Sequence, residues 1–437
     1  MTTANPQSPS FNRRRLIAAG GLALGSLGAV ELGLGDRAMA APPAPARAPD
    51  DEPGWRRIAD LYDKPKGVLQ LENGNWGVMA RPVREAYERH TKMVNRDASY
   101  YSRRHYGEDF AMVRCRVAAA LGVAADEIAL TRGATEALQA LIGGYNRLQP
   151  GDGVLYADLD YDSMQTAMTW LKIRRGADIV AIDLPEPASR ENLVATYVAA
   201  LDANPHVKLI LLTHLSHRTG LVVPVAEIVE MARARGVDAI VDAAHSWGQI
   251  DFRLPALGAD FVGVNLHKWI GAPIGVGALY IRSSRISAID PFMNEPVRES
   301  DPVLARVHTG TANYAAFLSV PDALDFHDSV GGAAKAARLK YLRNRWTQEF
   351  SGDDRIQIMT PDDPALSAGI TSFRLRGAVS VDDNRRLANR FLEEHGIFTV
   401  LRTGVASGAC VRVTPALFNT GADMDRLVDA IRAIATR

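Results

Sequence analysis

The runs AIVDAAH (Ala239–His245), ADFVGVNLHKW (Ala259–Trp269) and GAPIGVGALYIR (Gly271–Arg282) decide how this chain is read. The first two place a carboxylate (Asp242), an imidazole (His245) and a lysine (Lys268) at the ends of neighbouring predicted strands. Open α/β sheets keep their ligand sites at those ends. A carboxylate flanked by apolar residues demands a permanent partner. A lysine at the end of a buried strand is costly to hold charged, so desolvation lowers its pKa until the neutral amine can form a Schiff base with a carbonyl. Taken singly, such a lysine is more often salt-bridged, or snorkels to water along its methylene stem. Taken with Asp242 it reads differently. A protonated pyridine nitrogen would answer the acid and an aldehyde would answer the amine, which makes the stretch a cradle for pyridoxal 5'-phosphate (PLP).

Outward from this stretch, strand and helix signals alternate. GVLYADL, the helix Ser163–Arg174, DIVAIDL, the helix Arg190–Ala203, VKLILLTHL and the helix Val225–Arg235 lead into it. Apolar runs separated by amphipathic helices are what a mostly parallel sheet covered on both faces requires. A doubly wound α/β domain is therefore expected over 83–321. Upstream, EIAL (Glu127–Leu130) runs through Thr131-Arg132-Gly133-Ala134 into a helix over Thr135–Leu148. A glycine turn opening a helix presents free backbone N–H groups and the positive dipole end, a seat for phosphate, although most such turns are plain turns. From 322 to 437, the helical stretches Val330–Phe350, Val381–His395 and Asp423–Ile434 alternate with RIQIMT, GITSFRLRG, FTVLR and ACVRVT. This predicts a smaller α+β domain, with the site in the cleft between the two.

Composition bounds the partners. The 437 residues are too many for one undivided core, and fifty Lys+Arg balance fifty Asp+Glu. Zero net charge with no long basic run gives no footprint for nucleic acid, so a small-molecule partner is expected. Two cysteines, Cys115 and Cys410, exclude a disulfide framework and a four-thiolate metal site; no metal is expected, and a single bridge is disfavoured. Cys115 falls on a predicted helix, Asp109–Leu121, where a buried small hydrophobe is the simplest reading.

The first forty residues read as an address. Arg13-Arg14-Arg15 precede an apolar Gly/Ala/Leu segment, and Ala38-Met39-Ala40 offers a small-x-small cleavage pattern, so 1–40 is read as a signal peptide. Arg13-Arg14-x-Leu16-Ile17 resembles the twin-arginine type, which implies a periplasmic or secreted protein exported already folded and free of the membrane once the signal is removed. Residues 41–82 make a Pro/Ala-rich linker and an N-terminal segment, in which LENGNWG (Leu71–Gly77) is a turn-rich stretch, a surface loop or one that approaches a ligand. The aromatic and basic cluster Tyr100–Tyr106 is read as a solvated loop, with a substrate loop or an interface as its alternatives.

Asp242-Ala243-Ala244-His245, Asn265-Leu266-His267-Lys268-Trp269 and Gly310-Thr311 together resemble the signatures of the class V aminotransferase family of fold-type I PLP enzymes. The resemblance spans about 67–434, and the NLHKW form with Ala272-Pro273 is most similar to the isopenicillin N epimerase branch; its export signal matches members that act in siderophore maturation. The resemblance implies roles position by position. Lys268 would carry the Schiff base and shuttle protons, Asp242 would hold the pyridinium N1 proton, and His245 would lie near the ring hydroxyl. Tyr161 would stack on the ring, and Gly133, Ala134, Thr135, His267 and Asn265 would wrap the phosphate. Thr311 would reach the phosphate of a neighbouring subunit, which implies a homodimer. Arg412 would clamp the substrate carboxylate, against the alternative that it pairs with an acidic side chain.

Two departures narrow the activity. His217 stands in THLSHRTG where the cysteine desulfurases of the family carry asparagine at the ring hydroxyl. After Arg402-Thr403-Gly404 the desulfurase loop with its catalytic cysteine is missing. The chain is therefore expected to be a PLP-dependent aminotransferase or epimerase acting on an α-amino acid or a derived metabolite. A lyase or decarboxylating modifier of an exported peptide is the alternative, and a scaffold that binds PLP without turnover is a third reading.

Overall fold

Seven strands, each built on an apolar run, form the central sheet. They are β2 (Ile128–Thr131), β3 (Gly153–Ala157), β4 (Asp178–Ile182), β5 (Val207–Thr213), β6 (Asp238–Asp242), β7 (Phe261–Asn265) and β8 (Gly277–Ile281); a short strand β1 (Leu69–Gln70) precedes them outside this sheet. The computed structural model describes residues 48–308 and 310–436. The expected signal peptide at 1–40 and the start of the linker lie outside these. The strand order is β2-β8-β7-β6-β5-β3-β4, parallel except for β8, which runs antiparallel to both β2 and β7. The segment Leu266–Val276 between β7 and β8 is too short for a crossover helix, so the chain turns back beside itself.

Apart from the edge strand β4, which is exposed or half-buried along its length, the sheet is buried on both faces, as its sequence requires. Along β5, Ile210 and Leu212 enter one apolar cluster while Leu209 and Leu211 enter the other. In β7, Val262 and Val264 go to the first and Phe261 to the second. Successive side chains on a strand point to opposite faces, so an unbroken apolar run fills two cores at once. Helices Ala134–Gly144 and Asp162–Arg175 supply the second cluster, and helices Tyr106–Leu121, Arg190–Ala203 and Val225–Ala234 the first.

A second sheet lies in the C-terminal region. It joins β9 (Ile356–Ile358), β10 (Thr371–Leu375), β12 (Val400–Arg402) and β13 (Cys410–Val413), all antiparallel, in the order β12-β13-β10-β9. Helices Gly332–Thr347, Val381–His395 and Gly421–Ala435 pack on it around Trp346, Phe373 and Phe391. A further strand, β11 (Ile397–Phe398), pairs in parallel with β1, and Glu72 bridges to Thr414. The N-terminal segment is thus bonded to the C-terminal region before the large sheet begins.

Some expectations change. The Tyr100–Tyr106 cluster is helical, not a loop: it falls in the helices Arg81–Arg104 and Tyr106–Leu121, the first kinked at Ala98 (φ 41°). Tyr106 stacks on Tyr314 with ring centroids 3.8 Å apart, an intramolecular use for one of these rings. Cys115 is exposed, because Val113, Val117 and Leu121 define the buried stripe and Cys115 lies on the opposite side of that helix. Both cysteines are free. The helix expected over 330–350 is Gly332–Thr347, continued by a tighter 3-10 turn at Gln348–Phe350; a separate helix, Val320–Val330, precedes it and ends at Gly331, whose φ of +87° suits glycine.

Candidate active site

Five strands deliver the expected residues by their carboxyl ends. Gly133 follows β2, Tyr161 follows β3, His217 follows β5, Asp242 ends β6 with His245 just beyond, and Asn265 ends β7 with Lys268 just beyond. With Ala134, Thr135, His267 and Arg412 they line one cleft of about 680 Å³. Thr311 does not line it and sits on an exposed segment.

At one end of the cleft, Lys268 Nζ lies 2.8 Å from His245 Nε2. Burial lowers the Lys268 pKa to about 8, with Asp242 opposing that shift. Burial also holds His245 well below the usual imidazole value, so it stays neutral and its Nε2 accepts from the amine. With Nε2 accepting, the ring proton falls to Nδ1, which is buried and has no hydrogen-bond partner among the described residues. Asp242 is 4% exposed, and one carboxylate oxygen accepts the Ala244 N–H at 2.9 Å. Among the described residues no cation lies within ion-pair distance of it, and burial raises its pKa. A buried acid in this state is suited to a cationic ring N–H arriving from the cleft.

The phosphate end is equally formed. Gly133, the N-cap of the helix Ala134–Gly144, has no side chain to cap it; instead the Ala134 N–H donates to Asn265 Oδ1 at 2.7 Å. Asn265 therefore fixes the turn, and the next first-turn N–H groups are left for a ligand. Glu136 in that turn is drawn back onto Arg132, by its backbone N–H at 2.6 Å and its guanidinium at 2.9 Å, which removes an acid that would repel phosphate. His267 Nδ1 is 2.9 Å from the Val276 carbonyl, which leaves Nε2 as the free ring nitrogen. A Cβ on Gly277 would fall 2.6 Å from Gly133 Cα, so only glycine lets this turn lie against β8.

Between the two ends, His217 stacks over His245 with centroids 6.5 Å apart and meets Tyr161 edge-on at 5.1 Å. Burial lowers the His217 pKa to about 4, and its Nε2 lies 3.8 Å from Asp162. The Nδ1 atoms of His217 and His245 are buried and have no hydrogen-bond partner among the described residues, two polar positions that a substituted pyridine ring fits.

Arg412 is already occupied. Both of its bonds to Glu72 are short, 2.5 and 2.7 Å from Nη2, and its Nη1 donates to the His217 carbonyl at 2.6 Å. Arg402 lies 3.5 Å from the same Glu72, so two guanidiniums share one carboxylate. Burial, then Arg412, lowers the Arg402 pKa to about 10. Sequence reading missed Glu72 and Arg402, and the available signal was the turn-rich LENGNWG, which bonds through the Thr414 N–H to Leu71 O at 2.8 Å. Cys410, by contrast, is fully buried, burial raises its thiol to about 11, and it does not line the cleft.

The family profile described as aminotransferase class-V matches residues 78–427. The chain belongs to the class-V aminotransferase family. It is 30% identical over 325 residues to an isopenicillin N epimerase of Streptomyces clavuligerus, covering 70% of this chain and 80% of that one. It is 26% identical over 406 residues to an isopenicillin N epimerase of Amycolatopsis lactamdurans, covering 87% and 98%. The solved structure of the cysteine desulfurase CsdA from Escherichia coli superposes with a TM-score of 0.72 at 19% identity, covering 87% of this chain and 98% of that one. The fold is therefore that of the fold-type I PLP-dependent transferases, with a mostly parallel central sheet.

Proposed function

We propose that this chain is a PLP-dependent enzyme that works on the Cα of an α-amino acid or an amino-acid-derived metabolite, as an epimerase or an aminotransferase. The observation that carries it is the placement of Asp242 and Lys268 at adjacent strand ends in one cleft, with a formed anion seat at Gly133–Thr135. PLP, when bound, supplies an electron sink for a carbanion at Cα. The protein supplies the rest. Lys268 Nζ would hold the cofactor and, once freed by the substrate, would carry a proton to or from Cα. Asp242 would hold the proton on the ring nitrogen. Neutral His245 and His217 would face the ring hydroxyl side, and Tyr161 would cover a ring face. The anion seat, with His267 Nε2, would grip the phosphate. The positive excess of Arg402 and Arg412 over Glu72 would draw in the substrate carboxylate.

The epimerase relatives favour inversion at Cα. The lyase alternative draws on the likeness to a cysteine desulfurase, but Cys410 is buried, its thiol is held protonated and it stands outside the cleft, which disfavours persulfide chemistry. Homodimerisation with Thr311 reaching a second site is part of the proposal; an exposed groove of about 850 Å³ that includes Trp170, Phe292 and Met293 and adjoins the cleft supports it. Export through a twin-arginine signal is likewise proposed, from Arg13-Arg14-x-Leu16-Ile17.

One experiment separates the readings. The PLP-loaded protein is incubated in D₂O with a panel of α-amino acids and small peptides. Deuterium at Cα with inversion indicates an epimerase, a keto acid an aminotransferase, and loss of a β-substituent a lyase. A yellow protein whose spectrum no amino acid perturbs would contradict the proposal and leave the scaffold reading.

A further inference from the structure

Three consecutive carbonyls of the turn that bears Lys268 are each held by a separate donor. The Gly77 N–H donates to His267 O at 2.8 Å, and the Gly271 N–H to Lys268 O at 3.2 Å. Gly77 cannot be anything larger, since a Cβ there would fall 1.7 Å from Lys268 O. The third carbonyl, Trp269 O, accepts from a side chain: Lys335 Nζ, from the helix Gly332–Thr347.

Lys335 is an unusual donor. It is 6% exposed, in a cavity of about 40 Å³ whose walls include Tyr62, Phe326, Leu339 and Trp269. Lys268 also lines this cavity. Among the described residues no carboxylate is within ion-pair reach of Lys335, and burial lowers its pKa to about 7. Its titratable neighbours offer no anion: His327, on the helix Val320–Val330, is held neutral by burial with Lys335 beside it, and burial raises the Tyr62 hydroxyl. A methionine or leucine would fill this space without the desolvation cost of an ammonium. What an alkyl chain would not supply is the hydrogen bond to Trp269 O.

We propose that Lys335 is a positioning residue for Lys268. By holding the carbonyl next to the catalytic lysine, it sets the orientation of that turn and ties it to a helix of the C-terminal region. It touches neither cofactor nor substrate and acts through Lys268, so the inference rests on the reading of Lys268 as the cofactor lysine.

The test compares native protein with Lys335→Met, which removes the donor, and Lys335→Gln, which keeps an N–H donor without the charge. For each, PLP affinity is measured by titrating the apoprotein, the visible band of the loaded protein is titrated with pH, and the melting temperature of the apoprotein is recorded. The expected result is that Lys335→Met melts within a few degrees of native yet binds PLP about tenfold more weakly, with a displaced midpoint of the band, while Lys335→Gln stays close to native. A Lys335→Met protein that matches native in affinity and band midpoint would overturn the proposal. So would a Lys335→Gln protein as impaired as Lys335→Met. If Lys335→Met fails to fold, Lys335→Leu takes its place; failure of both while Lys335→Gln folds would show a purely structural role and also overturn it. Native protein that takes up no PLP would sink the reading of Lys268 itself, and this inference with it.

Discussion

The lysine and arginine parts of the cleft are built by different means. At the lysine end the functional atoms come from successive strand ends of one sheet: Asp242 binds the backbone two residues on, and Lys268 meets His245 only 23 positions away. Backbone hydrogen bonds on adjacent strands fix these positions before any ligand arrives. At the arginine end, Glu72 and Arg412 lie 340 positions apart, with Arg402 on a third segment. They are held by charge, and the charges do not balance. The first end is suited to a permanent cofactor and the second to a carboxylate that comes and goes, because a site with two guanidiniums and one acid can admit another anion at little cost.

Substitutions can break or sharpen this contrast. The largest effect on cofactor binding is expected from Asp242→Asn, which should weaken PLP binding by roughly 2–5 kcal/mol through loss of the charged partner of the ring nitrogen. The same change should raise the melting temperature of the apoprotein, since burial without a cation disfavours the Asp242 carboxylate. Cofactor titration and calorimetry check both signs.

Glu72→Gln should act at the other end alone. Removing one partner of a buried pair costs roughly 3–5 kcal/mol, so denaturant unfolding should show a large loss that acetate or another small carboxylate partly restores. PLP affinity should change far less. Loss of PLP binding with unchanged stability would break the division of labour.

A smaller effect concerns pH. Lys335 and Lys268 have folded pKa values of about 7 and about 8, below the ordinary 10.5. The unfolded chain therefore holds these protons to higher pH than the folded one, and the stability they cost is recovered as pH rises above 7. Lys335 alone should add about 2 kcal/mol to apoprotein stability between pH 7 and 9, and Lys335→Met should flatten that slope. The smallest effect is at Cys410: Cys410→Ala should leave the reaction rate within about twofold of native, because a buried, protonated thiol outside the cleft takes no part in it.

The large sheet was legible because strands buried on both faces need long apolar runs, as Leu209–Leu212 and Phe261–Val264 are. Lysine and acid were legible for the related reason that a charged group at the end of such a run requires an explanation. The partner of Arg412 was not, since nothing local in LENGNWG shows that Leu71 and Glu72 will bond beside Thr414. Lys335 was hidden in the same way: on its helix it reads as a solvated lysine, and only packing against the Lys268 turn buries it. The Tyr100–Tyr106 cluster misled because its polar composition outweighed a helical pattern that continues past the kink at Ala98.

The most direct test of the central claim is chemical. Protein loaded with PLP is reduced with borohydride and digested, and the pyridoxyl-lysine is located by mass spectrometry. The account predicts a single adduct on Lys268, absent from a Lys268→Ala variant that folds normally and lacks the visible band. An adduct on a different lysine, or a Lys268→Ala protein that keeps the band unchanged, would contradict it.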